Sequence, residues 1–249
     1  MFDTGAATHA GKVRVRNEDS FLVRPDAGVW AVADGMGGHE AGDLASRTVV
    51  EALGSVERQP LASALLSACE NCLARANARL NRIGRDRGGA IIGTTVAMLL
   101  IHGGHFACVW CGDSRVYLLR AGDIRPLSRD HTALQELVGA GALRVDETWS
   151  WAGRHVITRA IGVGETLELE MVDGVLKAND AFVLCSDGLT EHVTDREILS
   201  HVKAHEAQAA CDALIALALE RGGVDNVTAI VVRHEPSGSA ISSQRPSAP

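Results

Sequence analysis

The 249-residue chain lacks any long apolar segment. Its longest candidate, residues 96–110, is interrupted by two histidines and two glycines, whereas a membrane-spanning helix needs about 18 or more consecutive apolar residues. The N-terminus also lacks the order of basic and then apolar residues that marks a secretory signal peptide. We therefore expect a cytoplasmic protein that does not associate with membranes.

The sequence also lacks an extended stripe of positive charge. Lys and Arg number 24 against 31 Asp and Glu, which gives a formal net charge of −7, and the basic residues are scattered. Because a nucleic-acid partner would need a basic stripe facing its phosphates, we expect no such partner. The chain contains neither the G-x-x-x-x-G-K-[ST] loop of P-loop NTPases nor the H-R-D loop of protein kinases.

Four of the six cysteines have the spacing of a four-thiolate zinc site, as Cys69 with Cys72 and Cys108 with Cys111. The first pair falls in an amphipathic helical pattern. The second pair falls in a β-type run, where residues i and i+3 point to opposite faces. A strand cannot easily present both thiols to one metal, so we expect buried, reduced thiols.

No internal linker divides the chain. Residues 235–249 are rich in Ser and Pro and are expected to form a disordered tail, which leaves one domain of residues 1–234. Within it, residues 131–161 combine short helical pieces with glycines and with Trp149 and Trp151. This pattern is typical of a flap that contacts substrate, and the alternative is a plain surface insertion.

Pairs of helices flank a block of strands in the sequence pattern. Helical periodicity appears in residues 41–56, 61–83, 195–204 and 205–221, and β-type runs appear in residues 94–101, 105–111, 115–120, 124–127 and 167–172. Hairpin turns are expected at Gly103 with Gly104 and at residues 121–123. A parallel doubly wound sheet would need strands and helices to alternate, so the pattern predicts an antiparallel, layered α+β domain.

Acidic residues recur where an apolar run meets a turn, at Glu18, Asp19, Asp34, Asp113, Asp187 and Asp225. Residues 20–24 and 29–33 are short β-type runs around a type I turn sequence. In such a hairpin the start of the first strand lies beside the end of the second. Asp19 and Asp34 are therefore expected to be neighbours.

Asp187 and Asp225 are expected to meet in the same way, if the runs 181–186 and 226–233 are antiparallel neighbours. Two carboxylates about 4 Å apart repel by about 4 kcal/mol at an effective dielectric near 20. Such a ring must either be protonated or hold cations. Ligand sets of oxygen atoms alone favour Mg²⁺ or Mn²⁺. Each Asp-Gly pair alone is ordinary turn chemistry, and the inference depends on their number and placement.

Two hard ions held by carboxylates can activate water as a nucleophile and align an in-line displacement at phosphorus. Hydrolysis of phosphate monoesters is among the slowest uncatalysed reactions, with accelerations up to about 10²¹, so it needs strong electrostatic help. Arg14 lies just upstream of Glu18, and a guanidinium group suits the oxygens of a phosphoryl group. Without that context, Arg14 would be a surface arginine.

These residues lie in segments that resemble, in order and in spacing, the metal-dependent PP2C (PPM) family of protein serine/threonine phosphatases, and in particular its bacterial branch. The segments are residues 14–19 (RVRNED), 33–39 (ADGMGGH), 93–95 (GTT), 112–115 (GDSR), 130–132 (DHT), 185–189 (CSDGL) and 222–226 (GGVDN). The resemblance covers nearly all of residues 3–233. It implies a four-layer α-β-β-α sandwich of two antiparallel sheets flanked by helix pairs.

The resemblance also implies a dinuclear Mn²⁺ or Mg²⁺ site in the cleft between the sheets. Asp34 would bridge the two ions. Asp187 and Asp225 would complete the ligand set of one ion. Glu18 and the Gly35 carbonyl would complete the ligand set of the other ion through waters.

Further roles follow from the same resemblance. Asp19 would orient the attacking water, and Arg14 would bind the phosphate of the substrate. Asp113 and Asp187 would hold a third, weaker ion. Met36 stands where eukaryotic members have a proposed general-acid histidine, which leaves His39 as a possible acid or base.

The implied function is hydrolysis of phosphoserine and phosphothreonine in proteins by a monomer that reverses a Hanks-type Ser/Thr kinase. A metal-dependent nuclease or nucleotidyl transferase would also use carboxylates and two ions, but the acidity of the chain counts against it. A binding module that had lost its metals is the alternative outside enzymes. All the matched ligand side chains are acidic, which disfavours a binding module without metals.

Overall fold

Two antiparallel sheets stack face to face in the computed structural model, which describes residues 1–37, 41–142, 153 and 156–235. In spatial order, the first sheet contains β1 (Phe2–His9), β11 (Val227–His234), β10 (Ala181–Cys185), β7 (Arg115–Arg120) and β8 (Asp123–Pro126). The second contains β2 (Asp19–Arg24), β3 (Val29–Met36), β5 (Val96–His102), β6 (His105–Cys111) and β9 (Glu170–Val175). The short strand β4 (Gly93–Thr94) pairs with the end of β3.

A pair of helices covers the outer face of each sheet. The second sheet is covered by α1 (Ala41–Gly54) and α2 (Ala62–Asp86), and the first by α5 (Asp195–Ala204) and α6 (Ala207–Glu220). Two short helices, α3 (Ala133–Gly139) and α4 (Asp187–Thr190), lie in the connections. The predicted α-β-β-α sandwich is therefore confirmed. None of the helices among the described residues combines the length and the apolar character needed to cross a membrane.

Alternation along the strands separates the core into layers. In β3, Trp30 and Val32 pack between the sheets, whereas Val29, Ala31 and Ala33 pack beneath the helices. Both faces of this strand are therefore buried. This explains why the central strands read as continuous apolar runs in the sequence, without a polar face.

Most predicted elements lie within a few residues of their observed positions. Helix α5 begins where predicted because Thr194 and Glu197 form a capping box at its N-terminus. The strand expected at residues 167–172 lies three residues later, at Glu170–Val175. Sequence analysis missed β1, whose small residues carry little apolar periodicity, although it pairs with β11 along its whole length.

The cysteines occupy the positions expected of structural thiols. Cys108 faces the layer between the sheets and Cys111 faces the helices, so the two thiols lie on opposite sides of β6. All six cysteines are free and buried. Burial raises the pKa of the Cys69 thiol to about 12, which keeps it protonated and unreactive near neutral pH.

Candidate metal and phosphate site

The hairpin of β2 and β3 places the first carboxylates together. Asp19 pairs directly with Asp34 in the antiparallel register, as predicted. The turn that joins the strands depends on Gly28, whose φ of +75° is favourable only for glycine. The Gly35 amide donates a hydrogen bond to the Glu18 carbonyl at 3.1 Å, which keeps Glu18 at the same edge.

The other sheet contributes its carboxylates from the ends of β10 and β11, which pair in the predicted antiparallel arrangement. The Ser186 amide continues this pairing by donating to the Thr228 carbonyl at 3.1 Å. A Cβ at Gly188 would overlap the Asn226 carbonyl oxygen. The absence of a side chain at Gly188 therefore lets the chain after Asp187 approach the backbone that follows Asp225.

Two hydroxyl groups connect Asp19 of the second sheet to the first sheet. Ser186 Oγ and Thr228 Oγ1 donate hydrogen bonds to Asp19 Oδ2 at 2.8 and 2.6 Å. Sequence reasoning assigned no role to these residues. Their only signal was that each lies next to or near a predicted ligand, Asp187 or Asp225. They hold one carboxylate oxygen of Asp19 and fix the orientation of the other.

Threonines at the end of β4 hold the backbone of Asp34. Thr94 Oγ1 donates to the Asp34 carbonyl at 2.8 Å, and the Asp34 amide donates to Thr95 Oγ1 at 3.0 Å. Thr95 Oγ1 also lies 2.7 Å from Ser114 Oγ, beside Asp113. The motif at residues 93–95 therefore connects the hairpin to the loop that carries Asp113.

Burial and mutual repulsion dominate the electrostatics of the site. Burial is the main cause that raises the pKa of Asp34 well above its usual value, and four further carboxylates add to the shift: Asp19, Asp187, Asp113 and Asp225. Carboxylates from both sheets therefore act on Asp34, as expected for the predicted ring.

The same effects act on the individual members. Burial raises the pKa of Asp19 to about 7, although its hydrogen bonds from Thr228 and Ser186 oppose the shift. Burial also raises the pKa of Asp113 to about 8, and the charge of Asp187 is the next largest cause. The charge of Asp187 thus acts on Asp113, as expected if the two carboxylates share an ion.

Unsatisfied oxygen atoms make this site suitable for cations. Among the described residues, Asp19 Oδ1 and Asp113 Oδ1 are buried without a hydrogen-bond partner, an unfavourable arrangement unless another ligand binds them. No three Asp, Glu, His or Cys side chains in the described ranges already form a closed metal cluster. Carboxylates that repel one another are expected to close only around a cation.

Glu18 and the Gly35 carbonyl face one small space beside Gly42. The position that a Cβ of Gly42 would take lies 2.7 Å from the Gly35 oxygen and 2.8 Å from Glu18 Oε1. The two oxygens can therefore serve one ion, and a side chain at Gly42 would fill the space between them. Hard oxygen ligands of this kind fit Mn²⁺ or Mg²⁺.

Arg14 lies at the rim of the ring. Its side chain is 55% exposed, and its Nη2 pairs with Asp225 Oδ2 at 2.7 Å. The guanidinium group therefore lies beside the carboxylates, as expected for a phosphate-binding residue. In this structure it contacts one of the predicted metal ligands.

A cavity of about 540 Å³ opens beside Asp113 and Asp187. Residues at the start of the predicted flap, including Thr132 and Leu134, line it. Of the 31 residues of the predicted flap, 12 lie outside the described residues, and Trp149 and Trp151 are among them. His39, the possible acid or base, also lies outside the described residues.

Known proteins resemble this chain in sequence and in fold. A family model described as protein phosphatase 2C matches residues 8–214. The serine/threonine protein phosphatase PstP of Mycobacterium tuberculosis is 36% identical over 227 residues, which cover 91% of this chain and 44% of that protein. The chain therefore spans less than half the length of this relative.

Solved structures agree with the family match. PppA, described as a key regulatory component of T6SS in Pseudomonas aeruginosa, superposes with a TM-score of 0.86 at 38% identity, covering 93% of this chain and 97% of that one. The catalytic domain of the phosphatase PstP, in complex with two manganese ions, has a TM-score of 0.84 at 34% identity and covers 94% and 99% of the two chains.

Proposed function

The chain belongs to the protein phosphatase 2C family, and we propose that it hydrolyses phosphoserine and phosphothreonine in proteins with the help of divalent cations. The observation that carries this proposal is the ring of five mutually repelling aspartates, of which two have buried oxygens without hydrogen-bond partners. Such a ring has no stabilising role in a protein that does not bind cations. The manganese ions of the PstP structure support the same assignment.

Two Mn²⁺ or Mg²⁺ ions would be held here by four carboxylates and one carbonyl. Asp187 and Asp225 would belong to the ligand set of one ion, Glu18 and the Gly35 carbonyl to that of the other, and Asp34 to both. When bound, the ions supply positive charge and lower the pKa of water to generate a nucleophile. A third, weaker ion is proposed at Asp113 and Asp187, since two carboxylates are few ligands for an ion that prefers six oxygens.

The side chains of the protein then position the reactants. Asp19 has Oδ2 held by two hydroxyl groups, so its buried Oδ1 can accept a hydrogen bond from the attacking water and orient it. Arg14 exchanges its ion pair with Asp225 for the oxygens of the substrate phosphate. The thioether of Met36 carries no acidic proton, and His39 is therefore proposed to protonate the leaving oxygen.

Several broader assignments belong to the same proposal. Residues 1–234 form the phosphatase domain, and residues 131–161 form a flap that contacts protein substrates. The protein acts as a monomer on substrates of a Hanks-type Ser/Thr kinase. The described start of this flap lines the cavity beside Asp113, which supports its role in substrate contact.

The function is tested by assaying the purified protein on a phosphothreonine peptide and on single-stranded and duplex DNA. We expect phosphate release from the peptide with Mn²⁺ or Mg²⁺, none after exhaustive chelation, and no cleavage of DNA. Asp187→Asn should abolish release, whereas Asp173→Asn, at an exposed position on β9, should not. Full turnover in the chelated protein would refute the proposal.

A further inference from the structure

A short loop at the rim of the site alternates basic and aliphatic residues. Residues 11–16 read GKVRVR, with three cations in a chain whose net charge is −7. Val13 is 67% exposed and Val15 is 98% exposed. A single exposed valine is common on protein surfaces. Two exposed valines interleaved with cations beside a candidate phosphate site are less usual, and they suggest a surface that a partner covers.

The base of this loop is held firmly. Asn226 Nδ2 donates hydrogen bonds to the carbonyls of Ala10 and Arg16 at 2.9 and 2.8 Å. The Lys12 amide donates to the Gly223 carbonyl at 2.7 Å. The side chain of one residue thus closes both ends of the loop, so the exposed valines sit on an ordered segment that need not be ordered again on binding.

The loop also connects the candidate site with the neighbouring surface. Arg14, at its centre, pairs with Asp225. The Lys12 amide bonds to Gly223, and the next residue, Val224, is 47% exposed and lines the cavity beside Asp113. Exposed aliphatic side chains therefore lie on the loop that carries Arg14 and also in the lining of the cavity beside Asp113.

We propose that this loop docks segments of phosphoproteins that carry acidic and aliphatic residues next to the phosphorylated residue. The inference rests on the proposed phosphatase function and names its substrate class. The cations of the loop complement acidic side chains, and the valines gain hydrophobic free energy when a substrate covers them. A small aryl phosphate is too short to cover the loop, so only peptide substrates respond to it.

The test compares two double variants that make the same changes at different places. Lys12→Glu with Val15→Ser alters the loop. The control is Lys177→Glu with Val175→Ser, because Val175 is 57% exposed and pairs with His105, at the end of β6 away from Asp113. Neither variant changes a residue proposed to act in catalysis.

We expect the loop variant to lower kcat/KM on an acidic, aliphatic phosphopeptide by roughly tenfold and to hydrolyse an aryl phosphate normally. The control variant should match the parent on both substrates. The parent should also prefer this phosphopeptide to one in which lysines replace its acidic residues. Equal loss on peptide and aryl phosphate, or no preference between the peptides, would overturn the inference.

Binding measurements keep this test separate from the phosphatase assignment. Fluorescence anisotropy of the labelled acidic phosphopeptide should show weaker binding to the loop variant, whether or not any phosphate is released. If the protein hydrolyses no phosphoester, the proposed phosphatase function is refuted, but the anisotropy measurement still tests whether the loop binds the peptide. The parent and the loop variant should also be tested for cosedimentation with vesicles of phosphatidylserine and phosphatidylcholine. If only the parent sediments with the vesicles and neither protein binds the peptide, the loop contacts a membrane surface and the proposal is overturned.

Discussion

The layer between the two sheets is apolar at its centre and acidic at one end. At the centre, Trp30 and Phe182 are fully buried, and Phe106 packs against Phe182 with ring centroids 5.1 Å apart. At the acidic end, Asp19 is buried and Asp34 is half-buried, and both lie among further carboxylates. Burial of the aromatic rings stabilises the fold, whereas burial of the carboxylates opposes it.

A single strand serves both regions. Trp30 of β3 packs in the apolar layer, and Asp34 of the same strand lies in the carboxylate ring. The well-packed region thus supplies the free energy that holds the repelling groups together. The fold holds the carboxylates close together despite their repulsion. Cation binding is therefore favoured, because a bound ion removes that repulsion. Four predictions test this division between a stabilising centre and an unfavourable site.

The largest effect is expected from Asp34→Asn. Losing the carboxylate shared by both proposed ions should lower turnover of a phosphopeptide by at least about 1,000-fold, or about 4 kcal/mol. The melting temperature of the metal-free protein should not fall, since the amide relieves repulsion. Steady-state kinetics and thermal denaturation in chelator measure the two effects. A strongly destabilised variant would contradict the comparison.

Phe182→Ala should give the opposite result. Removing a buried ring from the layer between the sheets should lower the free energy of unfolding by about 3–5 kcal/mol, as measured by denaturant titration. The protein that remains folded should still bind Mn²⁺, because Phe182 belongs to the apolar cluster and not to the ring. A loss of metal affinity without loss of stability would show that the two regions are not separable.

Arg14→Ala should affect substrate binding and leave stability unchanged. Its side chain is 55% exposed, so its ion pair contributes little to the fold. Loss of a charged hydrogen bond to phosphate should raise KM by an amount equivalent to about 1.5–3 kcal/mol. Inhibition by inorganic phosphate should weaken in parallel. Unchanged kinetics and unchanged inhibition would place Arg14 outside the site.

The smallest effect is a pH dependence of the metal-free protein. The folded-state pKa values of Asp19 and Asp113 are raised to about 7 and about 8, against about 3.9 in an unfolded chain. As pH rises above about 4, the unfolded state loses these protons first, so stability should fall by up to about 1.4 kcal/mol per pH unit for each group. The contribution of these two groups should end near pH 8.

Urea titrations in chelator at several pH values measure this slope. Asp113→Asn should flatten the upper part of this slope, because the group with a raised pKa of about 8 is then absent. Adding Mn²⁺ at pH 8 should restore stability, since cations bind the ionised carboxylates. Stability that rises with pH in the metal-free protein would contradict the assigned repulsion.

The candidate ligands and their strands could be predicted from local sequence. The pairing of Asp19 with Asp34 followed from two short β-type runs and a turn, which are interactions between residues close in the chain. The start of α5 likewise followed from helical periodicity in residues 195–204, and the structure adds the capping box of Thr194 and Glu197. The motifs of the family extended these local predictions to Asp113, Asp187 and Asp225.

The tertiary structure alone decided how these pieces meet. Thr228 donates to Asp19 across 209 positions of the chain, and Asn226 closes the loop of residues 10–16 from more than 200 positions away. Such contacts leave no periodicity in the sequence, because they depend on the packing of one sheet on the other. The sequence by itself determined which carboxylates exist and which strands carry them. The packing of the sheets decided how deeply the carboxylates are buried, and that burial raises their pKa values and makes the site suitable for cations.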